Sequence, residues 1–110
     1  MSEQCVFCRI ANGQMGERLY EDESAVAFAD INPQAPVHIL VIPKVHIESL
    51  TAVEDENLIG HLMLVVKKLA QERGLSGYRV VINTGDDAGQ TVRHLHIHLL
   101  GGRTFGWPPA

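Results

Sequence analysis

The stretch His94-Leu95-His96-Ile97-His98-Leu99-Leu100 (HLHIHLL, residues 94–100) alternates imidazole with aliphatic side chains. A period of two is the signature of a β-strand, whose successive side chains point to opposite faces. His94, His96 and His98 therefore share one face. Leu95, Ile97 and Leu99 take the other and belong in a core. A solvated polar face is the plain explanation, but such faces ordinarily carry Thr, Lys, Glu or Arg. Half of the chain's 6 histidines stand here, which points to a metal site or to imidazole catalysis.

Working outward, residues 93–101 form the last predicted strand, and residues 78–85 (YRVVINTG) the one before it. The glycine-containing loop GDDAGQTV joins them. Upstream, Leu58, Leu62, Val65, Val66 and Leu69 recur at helical spacing. Thr51 and Glu54 have capping-box spacing at the start of this helix, and Gly74 stops it. VHILVIP (37–43) is a β-type run closed by Pro43, and residues 18–22 and 24–30 read as two short strands joined by a turn. Residues 5–12 suit a short helix ending at Gly13. Strands and helices do not alternate, so a doubly wound sheet is not expected. The order predicts an α+β fold: a five-stranded, mostly antiparallel sheet with a short N-terminal helix and one long helix. Residues 1–110 read as a single domain, without repeat or linker.

The net charge of −4 argues against a nucleic-acid binder, which needs a basic patch. No apolar run reaches the ~20 residues of a membrane span, and the first ten residues lack a signal-peptide layout. A cytoplasmic location is expected. Cys5 and Cys8 form a C-x-x-C, readable as half a zinc site, a redox pair or two buried thiols. On local sequence alone, Gly89-Gln90-Thr91 is a turn or a phosphate loop, Asp30 is a turn-starting residue before Asn32-Pro33, and His38 is a structural histidine or a site residue. The long helix spreads apolar surface through Leu58, Met63, Val66 and Leu69, enough to face a second copy. His61 has no motif position and takes no assigned role.

Taken together, His94–Leu100, FADINPQAPVHILVIPKVHI (28–47), GQTVRHLHIHLLGGR (89–103) and the ending Trp107-Pro108-Pro109 resemble the histidine triad superfamily over nearly the whole chain. The ending resembles its nucleotide-binding phosphoramidase branch. That resemblance implies hydrolysis of purine nucleoside phosphoramidates and related adenylates. His96 would be the nucleophile, forming a nucleotidyl-histidine, with His98 and His38 flanking it and Thr91 near the leaving group. The branch often carries serine at position 91; threonine keeps the hydroxyl but adds a methyl. Asp30 would hold the ribose, with Ile31, Asn83, Gly89 and Gln90 also against the nucleotide. From the residues themselves, the backbone N–H groups of the Gly89-Gln90-Thr91 loop and the Gln90 and Thr91 side chains can donate to phosphoryl oxygens. Val6, Phe7, Ile10, Phe28, Ile31 and Leu40 would line the base pocket. Cys5, Cys8, His46 and His94 would bind a structural zinc, none being required for the chemical step. A homodimer is implied, with the Trp107 tail near the partner's active site. The rival readings are a nucleotide-binding regulatory module with little turnover and a zinc-dependent hydrolase.

Overall fold

The computed structural model describes residues 5–109. Its elements are α1 (Val6–Ala11), β1 (Tyr20–Glu21), β2 (Ala25–Ala29), β3 (Val37–Pro43), α2 (Glu56–Glu72), β4 (Tyr78–Val81) and β5 (Ile97–Gly101). The strands form one sheet in the order β1-β2-β3-β5-β4, with every pairing antiparallel. This is the expected α+β arrangement. β3 runs through the middle, paired on both sides and buried from His38 to Pro43. A strand covered on both faces needs apolar residues without alternation, which HILVIP supplies.

The two faces carry different helices. Ala25, Ala27, Ile39, Val41, Ile97 and Leu99 pack against Leu62, Val65, Val66 and Leu69 of α2. Val26, Phe28, Leu40 and Ile42 pack against Phe7, Ile10 and Ala11 of α1. At 1.5 Å per residue the six-residue α1 is about 9 Å long. It cannot cover its whole face, and the uncovered part lies over β3 and β5, where Leu40 pairs with His98. Among the described residues, no helix is long and apolar enough to cross a membrane.

Several boundaries differ from the sequence reading. α2 is capped by Asp55, whose Oδ1 accepts from the Asn57 and Leu58 amides at 2.9 and 3.3 Å. Thr51 lies instead in a short 3-10 turn, Leu50–Ala52, so the Thr51–Glu54 capping box does not form. β5 begins at Ile97, not at Arg93, because its neighbours stop: Val81 of β4 pairs with His98, and Val41 of β3 with Ile97. The alternation nevertheless continues upstream. The Leu95 amide donates to the Ile47 carbonyl at 2.7 Å, which holds the segment extended, and Leu95 joins the α2-side core. β4 ends at Val81 for the same lack of a partner, leaving Asn83 in irregular chain. Val66 and Leu69 are buried in the core and offer no surface to a second copy.

His61, given no role from the sequence, holds two elements together. Its Nε2 lies 2.7 Å from Asp22 Oδ2, the same carboxylate that accepts from Tyr20 Oη at 2.6 Å and from the Ser24 and Ala25 amides at 2.8 Å each. The β1–β2 turn is thereby tied to α2. The C-terminal tail is also docked: the Arg79 guanidinium donates to the Gly106 carbonyl and lies over the Phe105 and Trp107 rings, and Arg103 stacks on Phe105 at 4.3 Å. Trp107 itself is 83% exposed.

Candidate active site and metal cluster

The gap left by α1 is a cavity of about 530 Å³, within the usual size of small-molecule sites. Val6, Phe7, Ile10, Phe28 and Leu40 form its apolar part, joined by the fully exposed Ile31. His96, His98, Asp30, Thr91 and Glu17 are its polar lining. The six residues expected in the base pocket thus all reach one cavity. Met15, Gly16 and Leu19 also line it, and with Glu17 they escaped the sequence reading. The usable signal was Gly13 and Gly16 on either side of an exposed Met15: both glycines adopt positive φ and turn the chain back over α1.

The three triad histidines are set by different partners. His96 Nδ1 lies 2.8 Å from the His94 carbonyl oxygen, so this nitrogen carries the proton and donates. The Nε2 lone pair is left for the cavity. Phe7 meets the His96 ring edge-on at 5.0 Å, fixing its plane. His98 is governed by a relay from β3. The Gln34 amide donates to His38 Nδ1 at 3.0 Å. His38 must then hold its proton on Nε2, which donates to His98 Nδ1 at 2.8 Å. His98 in turn carries its proton on Nε2, a buried atom with no hydrogen-bond partner among the described residues, in a side chain that lines the cavity. A buried donor without an acceptor loses about 1–3 kcal/mol, and an oxyanion in the cavity would restore that. Burial, with the neighbouring His96 and His38, pushes the His98 pKa down to about 4 against a smaller opposing effect of Asp30. Burial also lowers that of His38, with Asp30 opposing. Both rings are neutral at pH 7.

Asp30 faces the site from the end of β2. Its Oδ1 accepts from the Asn32 amide at 2.8 Å and its Oδ2 lies 3.4 Å from His38 Nε2. His38 sits behind His98 and does not itself line the cavity. The loop before the triad corrects one expectation. Gln90 is buried and its amide is fully used: Nε2 donates to the Glu48 and Val92 carbonyls at 2.6 and 3.0 Å, and Oε1 accepts from the Gly85 amide and from Arg93. Its side chain cannot also donate to a phosphoryl oxygen. Gln90 organises the loop, while Thr91 reaches the cavity. Gly89 caps the turn in the left-handed region at φ 82°, is exposed, and with Asn83 lies outside the cavity lining.

His94 turns away to a second cluster. Its Nε2 donates to the Pro43 carbonyl at 2.8 Å, leaving the Nδ1 lone pair 3.4 Å from both Cys5 Sγ and Cys8 Sγ. His46 Nδ1 lies 3.1 Å from Cys8 Sγ. The four ligand atoms lie within 4.8 Å of one another. Zinc–sulfur and zinc–nitrogen bonds of about 2.3 and 2.05 Å at the tetrahedral angle give S···N edges of about 3.5 Å. The observed separations are within a few tenths of that. The set also has the outer-shell carbonyl that commonly fixes a ligating histidine, and Cys5 and Cys8 form no disulfide. These residues fit a four-coordinate metal. Asp30, His38 and His98 also converge, but the imidazole–imidazole hydrogen bond already occupies two of their ligand atoms.

A family model described as HIT domain matches residues 13–105. An uncharacterized HIT-like protein of Synechococcus elongatus is 54% identical over an alignment of 113 residues, covering 99% of both chains. Among solved structures, a HIT family hydrolase from Legionella pneumophila superposes with a TM-score of 0.93 at 48% identity, covering 96% of this chain and 99% of that one. A histidine triad protein from Clostridium difficile gives 0.92 at 43% identity, covering 96% of each. With the triad, the sheet order and these likenesses in agreement, the chain belongs to the HIT domain family, the histidine triad superfamily.

Proposed function

We propose that the chain hydrolyses purine nucleoside phosphoramidates and related adenylates through a nucleotidyl-histidine, releasing a nucleoside monophosphate such as AMP. The observation that carries this reading is the 2.8 Å contact of His96 Nδ1 with the His94 carbonyl. It supports the reading because His96 Nε2 keeps its lone pair in a side chain that lines the apolar cavity, near His98, whose Nε2 has no hydrogen-bond partner among the described residues. The His96 Nε2 lone pair attacks the α-phosphorus and the phosphorus–nitrogen bond to the leaving amine breaks. The amine takes a proton from solvent water as it departs, with the Thr91 hydroxyl near it. A water molecule then attacks the same phosphorus and gives a proton back to solvent, the bond to His96 breaks, and His96 regains its lone pair. His98 Nε2–H donates to the phosphoryl oxygen in both steps. The base occupies the Val6, Phe7, Ile10, Phe28 and Leu40 surface, and Asp30 with Ile31 takes the ribose. Splitting one displacement into two is what covalent catalysis contributes.

In this reading zinc, held by Cys5, Cys8, His46 and His94, is structural and joins α1 to the sheet. The protein is a cytoplasmic homodimer. The exposed Tyr78 and Val80 on edge strand β4, with Met63 on α2, supply apolar surface for a second copy, and the exposed face of the docked Trp107 lies toward the partner's site in that dimer. The test is His96→Ala against adenosine 5′-phosphoramidate. Turnover should fall by roughly 10⁴-fold or more while AMP binding persists, and the wild type should yield a trapped nucleotidyl adduct. AMP binding without wild-type turnover would favour the regulatory module instead. Abolition of turnover by chelator, with the fold intact, would favour the zinc hydrolase.

A further inference from the structure

A second cavity, of about 480 Å³, shares Val6, Thr91 and Val92 with the first. The two meet along that rim, so a molecule lying across Thr91 has one end in each. In the proposed reading the nucleoside fills the apolar cavity and Thr91 stands near the leaving amine, so an amine extended past Thr91 would enter the second cavity. Its charged side chains are Glu48 and Arg93, with His46 at the metal-cluster side. Arg93 is committed: it donates to Asp86 and to Gln90 Oε1. Glu48 is exposed, and its carboxylate has no ion-pair or hydrogen-bond partner among the described residues. Its backbone carbonyl receives the buried Gln90 amide at 2.6 Å, which anchors it to the loop that carries Thr91. With Asp86 offsetting Arg93, the unopposed charge in this cavity is negative.

We infer that the second cavity is the leaving-group subsite and that Glu48 is its specificity-determining residue, favouring phosphoramidates whose leaving amine carries a second positive charge. This rests on the phosphoramidase reading. An exposed carboxylate–ammonium contact favours the cationic substrate by about two- to fivefold, and salt weakens the preference.

The experiment compares kcat/KM for the adenosine 5′-phosphoramidates of 1,3-diaminopropane and of propylamine, in wild type and Glu48→Gln. The second ammonium also alters the amine as a leaving group, but equally for both enzymes. The readout is therefore the change in the diamine-to-propylamine ratio. It should fall by about two- to fivefold in Glu48→Gln, and in the wild type it should fall with added salt. Glu48→Lys should lower it further and raise turnover of the 3-aminopropanoate phosphoramidate. An identical ratio in all three enzymes overturns the subsite while leaving the phosphoramidase reading intact. If the wild type cleaves neither compound, both fall together.

Discussion

Replacing His38 by alanine should damage catalysis through a residue that does not line the cavity. His38 delivers its Nε2 proton to His98 Nδ1 at 2.8 Å and is itself oriented by the Gln34 amide. Without it, His98 Nδ1 is a buried acceptor with no donor, a loss of about 1–3 kcal/mol in stability. His98 can then move its own proton to Nδ1, turning a lone pair toward the phosphoryl oxygen. Losing one donor at a developing oxyanion lowers kcat by about 10²- to 10³-fold. Protonation cannot rescue the site at pH 7. With the His98 pKa pushed down to about 4, the ring stays predominantly neutral there. His38→Gln offers an amide N–H in nearly the same place and should recover part of the rate. The assay pairs single-turnover kinetics with ¹⁵N spectra of the His98 ring, which separate the two tautomers. An unchanged His98 tautomer in His38→Ala with kcat within about threefold of wild type would refute the relay. So would equal losses in the alanine and glutamine variants.

Other outcomes follow from the same coordinates. Protein purified without chelator should carry about one zinc per chain; chelation should lower Tm and weaken nucleotide binding, because α1 supplies both Cys8 and the base-pocket residues Phe7 and Ile10. Burial raises the Asp22 carboxyl pKa, but donors from Tyr20, Ser24, His61 and Ala25 outweigh it and hold the group well below the usual range. A depressed carboxylate stabilises above its unfolded pKa of about 4 and loses that as pH falls toward the folded value. Asp22→Asn should therefore flatten the acid limb of a urea-midpoint against pH curve. Neutral His98 works in the same direction in a higher window: stability declines as pH drops from about 6.5 toward 4, and His98→Asn should remove that part. Gly101→Ala would bring a Cβ to 2.6 Å from Leu75 Cδ1 and 3.2 Å from its Cγ; overpacking of about 1–3 kcal/mol should appear in denaturant titration.

Strand and helix types were legible because β3 and the triad stretch carry strong period-two or continuous apolar patterns, and α2 a clean helical one. Boundaries were not, because they depend on where a partner strand ends. Residues 93–96 read as strand from their own alternation, yet the ladder stops at Ile97 for want of partners. The Thr51–Glu54 spacing matched a capping box, but Asp55 gave the closer cap. In the site, apolar lining residues could be named only through family resemblance, since Phe28 in the cavity and Ile42 beneath α1 look alike in sequence. The Gln90 side chain was misread because four partners from separate segments converge on it, and no local pattern announces them. Met15 and Leu19 were missed because a loop folding back over a short helix leaves no periodicity.

The alternation that first marked residues 94–100 does more than set a face. Leu95, Ile97 and Leu99 are each at most 1% exposed under α2, so the chain between them cannot rotate. The imidazoles on the other side diverge because what lies above each differs: Cys5 and Cys8 over His94, Phe7 over His96, the open cavity and His38 at His98. Two of these contacts come from one six-residue helix and the residue before it. A change that loosened α1 would therefore disturb the metal cluster, the plane of the His96 ring and the base pocket together. A substitution under α2, such as Ile97→Val, should instead lower stability by about 0.5–1.5 kcal/mol and leave the relative affinities for purine and pyrimidine monophosphates unchanged. Tm and equilibrium binding on that variant and on Phe7→Ala separate the two faces. A shift in base preference from Ile97→Val, or none from Phe7→Ala, would contradict this division of the sheet.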